Sequence, residues 1–557
     1  MKKLLCFLLS ILLLTGCAST PPTETTAPAQ TEPVQTSVPA TVPVLDGEKT
    51  VIVLSDEGIT VDGGSETDAV YTSHDIIYYE DRVSYDSGNP YGEGEAKDRH
   101  SADEAAAHTV VNITKPGSYI LSGKLSAGQI RIDLGEEAYE DPDAVVNLVL
   151  NGADITCAVA PAILFLNVYE CDGSWSEDSA KPDVDTTAAG ANLILEGENR
   201  ISGSYVAKIY KDKDGEKKLW KQDGAIYSYM SMNVFGPGGL DLTAENEGMD
   251  TELHLTIHSG NVVIRSGNDG INTNEDNVSV TTINGGKIRI LAGLGEEGDG
   301  IDSNGYLVIN GGDVVSCAKP ASDAGLDSDL GSFIHGGTVI ALGSSMDWAE
   351  SDSNQVTMNL QFSQQCTAGS SIRITDEKDA EIFSFDPNID PVLAEHLRTF
   401  QGAIISCPAF QVDATYQVYL DGIQQSYTGT DVTQMRPGFG GGQRPDGFGG
   451  GQRPDGFGSG WGQQNGQPPE LPEGETLPQG EKPDMPEGGF GQMPGGDMPT
   501  LPEGETMPQN LRPGGQFGGG QRPGNMGQMP TGEANHLFYM QDKVNFFSGL
   551  SAYTPAE

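Results

Sequence analysis

The chain has 557 residues, and its charge and composition already exclude some functions. It carries 80 Asp and Glu against 31 Lys and Arg, which gives a net charge of −49 at pH 7. A sequence-independent nucleic-acid binder needs clustered Lys and Arg to neutralise phosphates, so we expect no nucleic-acid partner. At 36% hydrophobic residues the chain can still bury a large core, and its length allows more than one domain.

The N-terminus has the pattern of an export signal. Lys2 and Lys3 precede an apolar run over residues 4–14 that is too short to span a bilayer as a helix. The run closes with the letters LTGC, which resemble the bacterial lipobox, whose cysteine carries the lipid after cleavage. We therefore expect residues 1–17 to be a lipoprotein signal peptide with lipid attached at Cys17. The mature protein would be anchored to the membrane and face the cell exterior; the alternative is an ordinary secretory signal.

Two further stretches lack the apolar residues that a packed core requires. Residues 18–44 are rich in Pro and Thr, and we expect them to form an extended tether. Residues 434–535 are rich in Gly, Pro, Gln and Met, and the phrase QRPDGFG recurs within them. We interpret this second stretch as a disordered, flexible insertion, and a role as a functional spacer is the alternative.

One short phrase is repeated four times between residues 248 and 342. Each copy has a glycine, a large apolar residue, Asp or Asn, Thr or Ser, and then another residue with a side-chain oxygen. The copies begin at Gly248, Gly270, Gly300 and Gly325. A glycine-containing turn and a β-branched strand follow each copy, and successive turns lie about 25 residues apart.

A repeat of this length, with short strands and no helical periodicity, is typical of an all-β parallel solenoid. Each copy would form one coil, which we call a rung. Successive rungs would stack in register ~4.8 Å apart, so that the apolar residues of the phrases form a continuous interior row. Weaker copies upstream extend the predicted solenoid to residues 109–345.

Stacking would also bring acidic side chains together along one edge of the solenoid. Asp250, Asp302 and Asp327 occupy equivalent places in their copies, and so do Asp269 and Asp299. Two unit charges ~5 Å apart repel by about 3 kcal/mol at an effective dielectric of about 20. Hard oxygen ligands from Asp, Asn and glycine-loop carbonyls suit Ca²⁺, so we expect calcium to neutralise this edge.

The predicted calcium ligands are the acidic and amide side chains in and beside the phrases. They are Asp250, Asp269, Asn272, Asn274, Asp276, Asp299, Asp302 and Asp327. The alternative is that these side chains only cap turns. An EF-hand is rejected, because Ile283 stands where that loop needs a bidentate Glu.

The order of these motifs resembles a known family, the bacterial exported carbohydrate-binding proteins with a pectate-lyase-like right-handed parallel β-helix. The resemblance begins at residues 113–123, with the letters ITKPGSYILSG, and runs through the four phrases to residues 337–343. Residues 358–421 look like the family's β-rich C-terminal cap, and residues 538–549 look like its last strand. The resemblance therefore implies a right-handed β-helix with a small β-rich cap.

On this basis we divide the chain into seven segments. They are the signal peptide with lipobox (1–17), the tether (18–44), an N-terminal β segment and cap (45–108), the parallel β-helix (109–345), a β-rich C-terminal cap (346–433), the disordered insertion (434–535), and a final strand and tail (536–557).

The resemblance also implies a function in carbohydrate binding. Members of the family bind cellulose and acidic sugars such as polygalacturonate and carry calcium on the β-helix, so we expect a polysaccharide partner and Ca²⁺. One departure is Ala324, which stands where Asp269 and Asp299 stand in their copies. A polyuronate would be repelled by this acidic chain unless a divalent cation bridged the two, whereas a neutral glucan would dock on exposed aromatic residues. The residues that touch the sugar are not identified by the sequence.

A catalytic β-helix, either a polysaccharide lyase or a glycoside hydrolase, is the principal alternative. A lyase of this fold typically uses an arginine base in a recognisable motif, but Arg265 and Arg289 are isolated residues that we expect to be solvated. A hydrolase needs paired carboxylates and a nearby His, but His258 and His335 occupy turn positions that other copies give to Asn. We predict a non-catalytic, monomeric binding protein; a surface adhesin or structural solenoid is the third interpretation.

Overall fold

A computed structural model describes residues 45, 48–79, 83–84, 90–91, 96–173, 179–209, 220–295, 297–320, 322–344, 346–430 and 535–555. The predicted signal peptide with Cys17, the tether and nearly all of the Gly/Pro insertion lie outside the described residues. All the described residues belong to one compact unit that begins at Thr36. In the part of the chain that is described, no helix has the length and apolar composition needed to cross a bilayer.

The described chain forms short strands joined by tight turns and almost no helix. Helix α1 (Ala102–Ala106) begins after Ser101, whose hydroxyl accepts the Glu104 N–H while the Glu104 carboxylate accepts the Ser101 N–H. Short 3₁₀ helices span Ala96–Asp98, Glu136–Glu140 and Leu393–Glu395.

The strands of the first half of the chain are short, and glycine turns separate many of them. They are β1 (Lys49–Leu54), β2 (Thr60–Val61), β3 (Val70–Ser73), β4 (Val83–Ser84), β5 (Pro90–Tyr91), β6 (Thr109–Ile113), β7 (Gly117–Leu125), β8 (Gly128–Asp133), β9 (Val146–Cys157), β10 (Ile163–Asn167), β11 (Ala191–Glu196), β12 (Glu198–Gly203), β13 (Val206–Ile209), β14 (Trp220–Gln222), β15 (Gly224–Ser228), β16 (Met232–Phe235), β17 (Gly239–Ala244) and β18 (Glu247–Thr251).

The second half continues the same pattern and then changes to longer antiparallel strands. Its strands are β19 (Leu255–Ile257), β20 (Asn261–Ser266), β21 (Ile271–Thr273), β22 (Val280–Ile283), β23 (Lys287–Leu291), β24 (Ile301–Ser303), β25 (Tyr306–Ile309), β26 (Asp313–Cys317), β27 (Gly331–Ile334), β28 (Thr338–Gly343), β29 (Thr357–Phe362), β30 (Ile372–Asp376), β31 (Glu381–Phe385), β32 (Gly402–Ser406), β33 (Thr415–Leu420), β34 (Ile423–Ser426), β35 (Phe538–Tyr539) and β36 (Val544–Ala552).

These strands make two large sheets in which most neighbours are parallel. One sheet has eight strands in the order β24-β21-β18-β15-β10-β8-β6-β3, and only its last pair is antiparallel. The other sheet has 24 strands and contains two long parallel series, one passing through β16, β19, β22 and β25, the other through β17, β20, β23 and β26. The prediction of an all-β, mainly parallel architecture is confirmed.

The apolar residue of each repeated phrase lies in the core. The Met249, Ile271 and Ile301 side chains are neighbours in register in the eight-stranded sheet. Together with Leu326 they are fully buried in the largest hydrophobic cluster. Burying each such side chain contributes about 1.5–3 kcal/mol, so the repeated phrase supplies a row of core contacts at regular spacing.

The glycine that opens each of the first three phrases is required by close packing against the next repeat. A Cβ atom at Gly248 would lie 2.4 Å from the carbonyl oxygen of Gly270, and one at Gly270 would lie 2.5 Å from that of Gly300. A Cβ atom at Gly300 would lie 2.5 Å from the carbonyl oxygen of Gly325. The backbones therefore approach each other too closely for any side chain at this position.

The region after β28 pairs mainly in antiparallel fashion. Strand β32 pairs with β28 and with β29, and β29 pairs in parallel with β36, which follows the Gly/Pro insertion in sequence. A second hydrophobic cluster fills this region; its fully buried members include Phe400, Val418 and Phe538. Residues on both sides of the insertion thus share one core.

Two arginines fasten the segment before β32 to the parallel strands. The Nε of Arg289 donates to Asp390 at 2.9 Å, and its Nη2 donates to Asp313 at 2.8 Å. The Nε of Arg265 donates to Glu395 at 2.8 Å. The expectation that Arg289 is solvated was wrong, because only 7% of the residue is exposed and carboxylates from a distant segment cover it.

We expect Gly270→Ala to lower the free energy of unfolding by about 1–3 kcal/mol, because the added methyl group would press on the carbonyl oxygen of Gly300. Denaturant unfolding followed by circular dichroism would measure the loss. Gly173→Ala is the matched control, since a Cβ there would meet no atom within 4 Å. Equal stability of the two variants would contradict close stacking at Gly270.

Candidate functional site

Four polar residues of the repeated phrases form one column on the eight-stranded sheet. Asp250 on β18, Asn272 on β21 and Asp302 on β24 are direct partners in register. Asp327 extends the column, because its N–H donates to the Ile301 carbonyl at 2.8 Å. Side chains alternate across a strand, so these four lie on the face opposite the interior apolar row. We call this column the acidic row.

Two further predicted ligands, Asn274 and Asp276, lie at the end of the second phrase and just after it in sequence. Asn274 is hydrogen-bonded to members of the acidic row, whereas Asp276 lies apart from it. The Nδ2 atom of Asn274 donates to Oδ1 of Asp250 at 2.5 Å, and Nδ2 of Asn272 donates to Oδ1 of Asn274 at 3.3 Å. Asp276 lies in an exposed turn, where it accepts the side-chain amide of Asn304 at 3.0 Å. The amides therefore link neighbouring members of the row.

Asp269 and Asp299 stack immediately beside the acidic row. The N–H of Asp299 donates to Oδ1 of Asp269 at 2.6 Å, and the N–H of Ala324 donates in turn to Oδ1 of Asp299. Burial, and then the nearby carboxylates of Glu247, Asp299 and Asp302, raise the pKa of Asp269 well above its usual range. Burial and the carboxylates of Asp327 and Asp302 raise the pKa of Asp299 in the same way.

The tightest acidic group includes two residues that the sequence analysis missed. Carboxylate oxygens of Asp223, Glu247 and Asp250 all lie within 4.8 Å of one another, and among the described residues this is the group able to share a metal ion. Asp223 and Glu247 each precede a glycine, as Asp269 and Asp299 do, and that signal could have found them. Gly224 permits the close approach, because a Cβ atom there would lie 2.6 Å from Cβ of Asp250.

The donor set of this group fits a calcium ion. Three carboxylates supply hard oxygen ligands, which Ca²⁺ prefers. Asn272, the register partner of Asp250, is only 3% exposed, and its Oδ1 atom has no hydrogen-bond partner among the described residues. A buried polar atom in this condition costs about 1–3 kcal/mol, and coordination of a cation would remove that cost. The candidate ligands are therefore Asp223, Glu247, Asp250 and Asn272.

A buried tyrosine closes one end of the acidic row. Tyr227 on β15 is the register partner of Asp250 and is fully buried. Its hydroxyl donates to the Glu252 carboxylate. Burial and the neighbouring carboxylates of Glu252 and Asp250 raise the pKa of this phenol well above its usual range. The phenol therefore stays neutral and adds no further charge to the group.

The two histidines considered as catalysts lie on the other sheet. His258 stacks on Phe235 with ring centroids 4.4 Å apart, and its Nδ1 lies 3.3 Å from the side-chain amide of Asn284. Burial lowers the pKa of His258 to about 4, and burial followed by the Lys543 charge lowers the pKa of His335. Both imidazoles are therefore neutral at physiological pH. Neither is a member of the acidic row.

Comparison with known proteins places the chain in a family. The family of carbohydrate-binding domain-containing proteins matches residues 107–386, half of the chain, and the protein belongs to this family. This range contains the acidic row and both histidines.

Two similar proteins cover parts of the chain. A carbohydrate-binding domain-containing protein from Acetivibrio thermocellus is 29% identical over 157 residues, which are 28% of this chain and 45% of that relative. The chain thus matches less than half of the relative's length. A solved structure described as the polysaccharide lyase-like protein from C. thermocellum, gadolinium derivative, is 23% identical with a TM-score of 0.31, and the match covers 52% of this chain and 94% of that one.

We expect Asp269→Asn to stabilise the protein in excess chelator at neutral pH, by about 1–2 kcal/mol, because it removes a buried charge that lies among other carboxylates. The asparagine oxygen can still accept the Asp299 N–H. Thermal and denaturant unfolding would measure the gain. Asp352→Asn, at an exposed position, is the control. A loss of stability in Asp269→Asn as large as that of a core substitution would contradict charge repulsion at this edge.

Proposed function

We propose that this protein binds polysaccharide through a calcium-dependent parallel β-helix and is not an enzyme. The observation that carries the proposal is the group of stacked carboxylates at Asp223, Glu247 and Asp250, within a chain of the carbohydrate-binding domain family. Acidic sugars such as polygalacturonate are the proposed ligand of this edge, and a glucan such as cellulose is the alternative ligand of the protein. The protein acts as a monomer.

The strand pairing supports a β-helix. Strands β18, β19 and β20 follow one another in sequence, and each pairs in parallel with a different member of the next rung, namely β21, β22 and β23. Strands β21, β22 and β23 pair in parallel with β24, β25 and β26 in the same way. A chain that adds one strand to each of three series per repeat winds as a coil, and parallel crossovers are right-handed in nearly all proteins.

Calcium has two roles in this proposal. Bound at the carboxylate group, it offsets the repulsion that stacking produces along the edge. Because the chain has a net charge of −49, it would also repel a polyuronate at short range. A calcium ion shared between protein and sugar carboxylates reverses that repulsion. The chain's own contribution is to hold its carboxylates in register and partly away from water.

The pairing of three arginines on the parallel strands supports a binding protein over a lyase. Arg289 and Arg265 are occupied by carboxylates of the segment before β32, and Arg131 donates to Asp75 at 2.9 Å. An arginine paired in this way is held in its charged form and is a poor proton acceptor. His258 and His335, the two histidines weighed for a hydrolase, follow strands of the 24-stranded sheet and not strands of the acidic row.

The cell-surface location is part of the same proposal. Its support is the N-terminal pattern of two lysines, an apolar run and the letters LTGC that end at Cys17. A lipid at this cysteine, followed by the Pro- and Thr-rich residues 18–44 acting as a tether, would hold the binding domain away from the membrane. Polysaccharide outside the cell would then reach it.

We expect the protein, expressed from residue 18, to be retarded in gels that contain polygalacturonate when calcium is present, and to run unretarded in excess chelator. Replacing both Glu247 and Asp250 by their amides should remove most of the calcium-dependent retardation, because two of the three clustered carboxylates are lost. Affinity electrophoresis measures the retardation as the loss of mobility relative to gels without sugar.

The matched control for this pair of substitutions is Glu377→Gln, which removes a charge from an exposed position in the turn between β30 and β31. It should be retarded like the unaltered protein. Equal mobility of the unaltered protein with and without calcium, in gels of polygalacturonate and of soluble glucan, would contradict the proposed function. Release of unsaturated sugar products would show an enzyme instead.

A further inference from the structure

A second surface, on the 24-stranded sheet, has the chemistry of a sugar platform. Tyr306 on β25 and Phe333 on β27 have ring centroids 5.9 Å apart, and Phe333 stacks with His335 at 6.1 Å. All three residues are partly exposed to solvent. Aromatic residues of a core are hidden from water, whereas these three residues are not.

A row of amides runs beside the three rings. His258, Asn284, Asn310 and His335 occupy equivalent places in four successive rungs, because the N–H of each of the last three donates to the strand before it. The Nδ2 atom of Asn310 donates to Oδ1 of Asn284 at 2.9 Å, and Asn310 is exposed. The row therefore presents amide and imidazole groups at steps of ~4.8 Å, the distance between neighbouring strands.

From this surface, which rests on the proposed function, we infer that Tyr306, Phe333, His335, Asn310 and Asn284 form the binding strip for a neutral, extended glycan. The flat rings suit the C–H faces of a hexose, and the amides suit its hydroxyl groups. One step along the row is close to the length of one sugar in an extended glycan, so each rung can serve one sugar unit.

The position and charge of the strip favour a neutral sugar. The acidic row lies on the eight-stranded sheet, and the strip lies on the 24-stranded sheet, so the two surfaces are separate. The ring and amide side chains of the strip carry no charge, and both histidines of the row are neutral at physiological pH. A neutral glycan needs no cation to approach a chain of net charge −49.

Cellohexaose is the probe, because it is a soluble, neutral and extended glycan. Isothermal titration calorimetry in excess chelator should show binding to the unaltered protein. Phe333→Leu and Asn310→Ala should each weaken it about tenfold, since the first removes a flat ring and the second an exposed amide. Tyr539→Leu is the control, because Tyr539 is a 47% exposed aromatic residue on β35, outside the strip. Calcium-dependent binding of polygalacturonate should stay unchanged in all three variants.

Binding of cellohexaose to Phe333→Leu and Asn310→Ala with the affinity of the unaltered protein would overturn the inference. Binding of polygalacturonate alone by the unaltered protein would overturn it too, while the proposed function would stand. Failure to bind either sugar would instead reject the proposed function and this strip with it. If Phe333→Leu unfolds, the affinity of Asn310→Ala for cellohexaose tests the inference alone. The Asn310 side chain is exposed, so removing it leaves the core intact.

Discussion

Parallel pairing of successive repeats in register is the constraint on which the structure depends. A spacing of ~4.8 Å between neighbouring strands places each residue directly against its equivalent in the next repeat. For Met249, Ile271 and Ile301 this repetition builds a continuous core. For the glycines that open the phrases it removes all room for a side chain. For the carboxylates it creates repulsion that the fold must offset.

The candidate sites follow from that constraint. The backbone N–H groups of Asp299 and Ala324 donate to the carboxylates of Asp269 and Asp299, so each acidic side chain is held by the repeat that follows it. Burial and mutual repulsion then raise the pKa of Asp269 and Asp299. On the other sheet the same stacking aligns neutral amides and rings. The same in-register pairing therefore produces an edge of stacked carboxylates and, in our inference, a sugar-binding strip.

The sequence predicted the repeated features and missed those that depend on distant contacts. The phrases identified the acidic row because its members recur at one position of the repeat, and the structure pairs Asp250, Asn272 and Asp302 in register. Asp223 was not predicted because its repeat departs from the phrase: Tyr227 stands where the next repeat has Asp250. The burial of Arg289 by Asp390 could not be predicted, since the two residues lie 101 positions apart and no local pattern links them.

In our proposal a divalent cation completes the group of stacked carboxylates. X-ray diffraction from crystals grown with calcium, measured at a wavelength where calcium scatters anomalously, tests it most directly. We expect an anomalous peak bounded by the carboxylates of Asp223, Glu247 and Asp250, with the Asn272 oxygen turned toward it. Well-ordered carboxylates at this position with no peak, in crystals saturated with calcium, would contradict it.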